Sequence, residues 1–242
     1  VTKEPADLFS RALKASGRRL ALKIRKRHAT LDMRDLDASW PTYLEAQAIT
    51  LQQEYEATLR EAIIYFIEVL MGAGHAIPGE PLPNAFDHAH ITALLRLTGP
   101  IHIKRMIRNG YSEQAALLSS LRRSVYWTTG DMYREANQQV IDLGEWANER
   151  SETVVMQGYE RVPEPTACAF CRILAGASRK HAVFNVTEKW REPHPGCKCE
   201  IKPLPVYRTK RILTAREIAL NKAMYESIKA SRDRALAKAK AA

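Results

Sequence analysis

The chain has 242 residues, of which 45% are apolar and 26% charged, and a formal net charge of +10. That is enough apolar material for a core in one large or two small domains. The absence of any run of about eighteen apolar residues excludes a membrane-spanning helix, and the first ten residues lack the charged-then-apolar layout of a secretion signal, so a soluble intracellular product is expected. The charge is uneven. Residues 1–30 hold nine Lys/Arg against Glu4 and Asp7, and residues 208–242 hold ten against Glu217, Glu226 and Asp233. Each end is therefore +7, which leaves −4 for the middle. Two basic arms on a mildly acidic body point to a polyanionic neighbour, nucleic acid or an acidic protein surface, against the plainer reading of solvated helix faces.

From Ala6 to Thr30, Phe9, Leu13, Leu20 and Ile24 fall on one stripe with Arg and Lys around it, predicting a basic amphipathic helix. Such a helix can lie on a membrane surface, but docking on a partner is its commoner use, and no membrane partner is expected. Ser39 is placed to cap the next helix, with Pro41 in its first turn. Leu51, Tyr55, Leu59, Ala62, Phe66 and Leu70 continue that helix to Gly72 as core positions. These elements make up an N-terminal helical region with its basic arm, residues 1–74. Glycine and proline then punctuate a connection over residues 75–86. His75, His88, His90 and His102 lie around it without ligand spacing and are assigned no role.

Residues 87–150 read as helices over Asp87–Thr98, Ile101–Arg108, Ser112–Trp127 and Asp131–Ala147, broken at Gly99-Pro100, Asn109-Gly110 and Gly130. Strand formers follow in Thr153–Val162, Val183–Val186 and Glu200–Pro203, within a small β-rich unit over 151–207. Residues 208–242 form a basic C-terminal helix or tail, helical over Thr214–Ala239, with too little apolar surface to fold strongly unless a partner holds it. The fold class expected is mainly α with a small β-rich, zinc-stabilised module, an α+β arrangement.

All four cysteines fall in one window: Cys168-Ala-Phe-Cys171, then His194-Pro-Gly-Cys197-Lys-Cys199. Two residues between ligands let one tight turn aim both at one ion, and two such turns complete a tetrahedron of the kind structural zinc takes. Cys168, Cys171, His194 and Cys197 make two matched turns; an all-cysteine set with Cys199 in place of His194 is the rival. Two disulfides, or reduced thiols packed as small apolar groups, are the other possibilities, and disulfides would need an oxidising compartment. A catalytic zinc would need an open position and a general base, and the window offers Glu188, Glu192 and Glu200 in no recognised pattern. Zinc is therefore read as structural, stapling short strands that bury little surface alone.

Tyr159-Glu-Arg-Val162, Ala167-Cys168-Ala169-Phe170-Cys171, Ile173-Leu174-Ala175, Lys189-Trp190 and His194-Pro195-Gly196-Cys197-Lys198-Cys199 with Ile201 together resemble the MuF-like minor head protein family of tailed bacteriophages. Thr129-Gly130-Asp131 and Arg134-Glu135-Ala136-Asn137 approximate its preceding helix, so the resemblance covers roughly residues 115–207. It implies a low-copy structural protein made in the host cytoplasm and carried inside the virion head. There it would dock on the portal, with the major capsid or scaffold protein as further partners, and assist head assembly or DNA packaging and ejection. The basic arms would reach an acidic portal surface or packaged DNA, through phosphates and without sequence preference. The runner-up is a stand-alone zinc-containing DNA-binding protein. No nucleophile with a positioned base can be assembled, so no enzymatic activity is expected.

Overall fold

The computed structural model describes residues 4–163, 167, 169–176, 183–185, 197–207 and 213–241. Among these it contains helices α1 (Pro5–His28), α2 (Leu36–Gly72), α3 (His88–Thr98), α4 (Pro100–Arg108), α5 (Glu113–Glu149), α6 (Ala169–Gly176) and α7 (Ala215–Ala241). Strands β1 (Met156–Val162), β2 (Val183–Asn185) and β3 (Glu200–Pro205) form one antiparallel sheet in the order β2-β1-β3. This is an α-dominant α+β fold.

Two helices of 37 residues, α2 and α5, are the spine. At 1.5 Å per residue each runs about 55 Å. Helix α1 packs on both, as its stripe requires: Phe9, Leu13, Leu20 and Ile24 are all buried, with Phe9 stacked on Tyr65 at 4.5 Å. The N-terminal basic segment is therefore a packed helix and not an arm. Helices α3 and α4 cover one side of α5, and the sheet meets α5 and α2.

Helix α7 lies along α2, antiparallel to it like α1. Its small side chains allow the approach: Ala235 and Ala239 pack on the fully buried Ala57. Polar pairs set the register, with Tyr225 Oη donating to Glu68 at 2.6 Å, Arg60 Nε to Ser231 Oγ at 3.1 Å, and Arg232 pairing with Glu61. Thr214 and Glu217 form a reciprocal capping box at its start. The partner this weakly apolar helix needs is thus α2 of its own chain. Lys23 Nζ of α1 meets the carbonyl of Ala239, so the two basic ends lie side by side. Beneath them Glu54, wholly buried, takes Arg19 and Lys23 at 3.2 and 3.1 Å.

Two boundaries differ from the sequence expectation. Helix α2 starts at Leu36 with Asp35 as its cap, accepting from Ala38 N, whereas Ser39 Oγ accepts from Asp32 N. Leu36, Trp40 and Tyr43 are all buried. Their packing outweighs the penalty of Pro41 inside the helix. Trp40 also lies so close to Gly99 that a Cβ there would come within 2.1 Å of Cη2. Helix α5 likewise runs unbroken through Gly130. A glycine in a helix interior costs only about 1 kcal/mol, and residues 128–133 are all buried. Tyr55 Oη holds this stretch by donating to Thr128 O and Asp131 Oδ2.

The Gly/Pro connection is strapped to the spine. Asn84 bonds Gln139 and Asp142 of α5, and Ile77 N donates to Asn221 of α7. His75 Nε2 lies against the carbonyl of Val206, beyond the end of β3.

Candidate metal centre

The centre forms where the sheet meets α5. Strand β1 is fixed to that helix at two points. Asn148 accepts from Val155 N and Met156 N and donates to Met156 O. Tyr159, fully buried, donates its hydroxyl between Val140 O and Ile141 O at 3.1 and 3.0 Å. Gly144 makes room for that hydroxyl, since a Cβ there would stand 1.7 Å from it. Strand β3 pairs with β1 in the register Tyr159↔Pro203, Arg161↔Ile201, Val162↔Glu200. That delivers Cys199 and Cys197 to the end of the sheet, and α6 brings Cys171 over them.

All three thiols are buried, and their sulfurs lie within 4.8 Å of one another. Thiolates on zinc sit about 2.3 Å from the ion, so two corners of the tetrahedron are about 3.8 Å apart. Cys171 Sγ and Cys197 Sγ are 3.7 Å apart. The same separation is far beyond the roughly 2.05 Å of a disulfide, and none of the three cysteines is in one. The donor set and the spacing fit a thiophilic metal ion, so Cys171, Cys197 and Cys199 can hold one. Cys168 and His194 lie outside the described residues. Cys199, the spare candidate in the matched-turn reading, belongs to the cluster.

Hydrogen bonding with Cys199, then burial, pushes Cys197 up. Cys199 is brought down by its bond with Cys197, assisted by Cys171 and the charge of Arg161, against the effect of burial.

Three further helices converge on the same segment, and sequence reasoning assigned none of these residues to the site. Asn137 of α5 bonds both Cys199 O and Ile201 N. Tyr65 Oη of α2 reaches Ile201 O at 3.5 Å, and Ser10 Oγ of α1 donates to Glu200 Oε1 at 2.9 Å. Arg161 was legible in part: it stands two residues after Tyr159, on the inward side of an alternating strand.

A second polar cluster lies away from the cysteines. Asp131 accepts from Tyr55 Oη at 2.7 Å, His90 Nε2 at 3.0 Å and Arg134 Nη2 at 2.5 Å. Burial alone would raise its pKa, but these donors outweigh burial and hold it below the usual carboxylate range. The same hydrogen bond is the main reason His90 is raised. Among the described residues no serine or cysteine bonds His90, so the cluster is a polar hub joining α2, α3 and α5.

Comparison with protein-family models, with curated proteins and with solved structures found no match to this chain.

Proposed function

We propose that the protein is a structural minor head protein of a tailed bacteriophage, in which a zinc ion pins the small sheet onto the helical spine. The observation that carries this reading is the buried thiol cluster at tetrahedral-edge spacing. It brings together three of the five ligand candidates of the motif on which the resemblance rests. The zinc supplies folding free energy by tying α6 and the segment before β3 to one point; Cys171, Cys197 and Cys199 would hold it, with Cys168 or His194 as the fourth ligand. The role is one of assembly, without a reaction. The protein docks at the portal inside the head, contacts the major capsid or scaffold protein, and assists assembly or DNA packaging and ejection.

The basic face supports a polyanionic neighbour. Residues 11–30 hold eight Lys/Arg and no acid. The packing brings Lys23 of this run beside the end of α7, where Lys238 and Lys240 are exposed. This face suits an acidic portal surface or DNA phosphates. It is also the observation favouring the second reading, a stand-alone zinc-containing DNA-binding protein.

Cross-linking mass spectrometry on intact particles tests the proposal. Links to the portal, at a copy number far below that of the shell protein, are expected. Absence from particles, or links only to host nucleic-acid machinery, would overturn it in favour of the second reading.

A further inference from the structure

Two of the groups around Cys199 come from outside the cysteine motif, and both are buried. Asn137, fully buried at the middle of α5, donates from Nδ2 to Cys199 O at 2.8 Å and accepts from Ile201 N at 3.2 Å through Oδ1. A carbonyl and an amide two residues apart on one strand edge are what a neighbouring strand would pair with. The carboxamide stands in for that strand and fixes the backbone on both sides of Cys199 and Glu200. Both ends of the amide are used, and neither backbone group has water access to replace it.

Arg161 comes from β1. It is the cross-strand partner of Ile201, is 3% exposed, and its positive charge favours the Cys199 thiolate. Negative charge nearby stabilises a guanidinium so deeply buried. A thiolate bound to a metal keeps lone pairs and charge for an N–H···S bond, and outer groups of this kind orient metal ligands. Three thiolates already exceed the charge of one divalent ion, so a loaded centre is net negative and Arg161 is placed to offset it.

We propose that Arg161 and Asn137 are the positioning residues that present Cys199 to the metal, Arg161 as counter-charge and Asn137 as backbone clamp. This rests on the zinc reading above and goes beyond it. It makes the centre a joint product of the cysteine motif, β1 and α5.

The test uses the whole chain loaded with Co2+, whose thiolate charge-transfer absorption scales with the number of bound thiolates, together with Zn2+ affinity from chelator competition. Cys199→Ser is expected to lose one thiolate's share of the charge-transfer intensity. Arg161→Met is expected to keep that intensity but shift the band, and to weaken Zn2+ binding by about 10–100-fold. Arg161→Lys, which keeps the charge, is expected to recover most of the affinity. Asn137→Ala is expected to weaken Zn2+ binding within the same range.

Unchanged intensity in Cys199→Ser overturns the proposal. So does an Arg161→Met protein that binds Zn2+ within about twofold of the wild type, or equal weakening by Met and Lys. Should Arg161→Met fail to fold, Cys199→Ser and Arg161→Lys still decide. A wild-type chain that binds neither metal overturns the zinc reading itself, which separates that failure from this one.

Discussion

Replacing Gly144 by alanine sets helix propensity against tertiary packing, and the structure says which wins. In an isolated helix the change would stabilise by about 1 kcal/mol. Here the new Cβ would stand 1.7 Å from Tyr159 Oη, 2.9 Å from Cζ and 3.2 Å from Met156 Cγ. The tyrosine is 0% exposed, so its rigid ring cannot swing into solvent. It must retreat, and its hydroxyl then leaves Val140 O and Ile141 O. A buried donor without a partner costs about 1–3 kcal/mol, and overpacking adds about 1–3 kcal/mol. After subtracting the propensity gain, Gly144→Ala should destabilise by roughly 1–5 kcal/mol. Urea unfolding followed by far-ultraviolet circular dichroism measures this. Repeating it on Tyr159→Phe isolates the cause, because without the hydroxyl the closest clash disappears and alanine should cost at least about 1 kcal/mol less. A Gly144→Ala protein as stable as the wild type, or equal costs in both backgrounds, would refute the claim that this contact locks β1 to α5.

Metal removal should act locally first. A strong chelator, or Cys171→Ser with Cys197→Ser, should make residues 163–200 protease-sensitive while most helical circular dichroism remains, since the ion's binding free energy is folding free energy for that module; an unchanged digestion pattern would contradict it. His28, buried against Tyr43, is lowered from 6.5 to about 4 by burial and stays neutral in the fold. Its contribution is therefore complete above pH 6.5 and is lost as pH falls towards 4, a loss of about 3 kcal/mol; His28→Gln should flatten the stability curve in that window, and an unaltered slope would disprove the assignment. Ala57→Leu should push α7 off α2 at a cost of about 1–3 kcal/mol, seen as faster hydrogen exchange over residues 215–241; unchanged exchange would mean that the alanine contact is not what seats the helix.

What could be read from the sequence was whatever depends on local spacing. The stripe of Phe9, Leu13, Leu20 and Ile24 marks a buried helix face because 3.6 residues per turn aligns it. The helix starts read at Asp87 and Ser112 hold for the same reason: each side chain caps its helix within three residues. The Cys-x-x-Cys and Cys-x-Cys pieces nominate metal ligands because chelation by one turn is a short-range property, and Cys171, Cys197 and Cys199 do come together. Tertiary structure decided what depends on elements distant in the chain. It carried α5 through Gly130 and α2 through Pro41, where buried contacts exceed a local penalty of known size. It brought two basic ends, more than two hundred residues apart, together at Lys23 and Ala239. It set Asn137 and Arg161 around Cys199, which ligand spacing alone does not connect to the cysteines. Spacing along the chain can nominate ligands, but the charge and hydrogen bonds that hold them come from whichever helix and strand the core brings alongside.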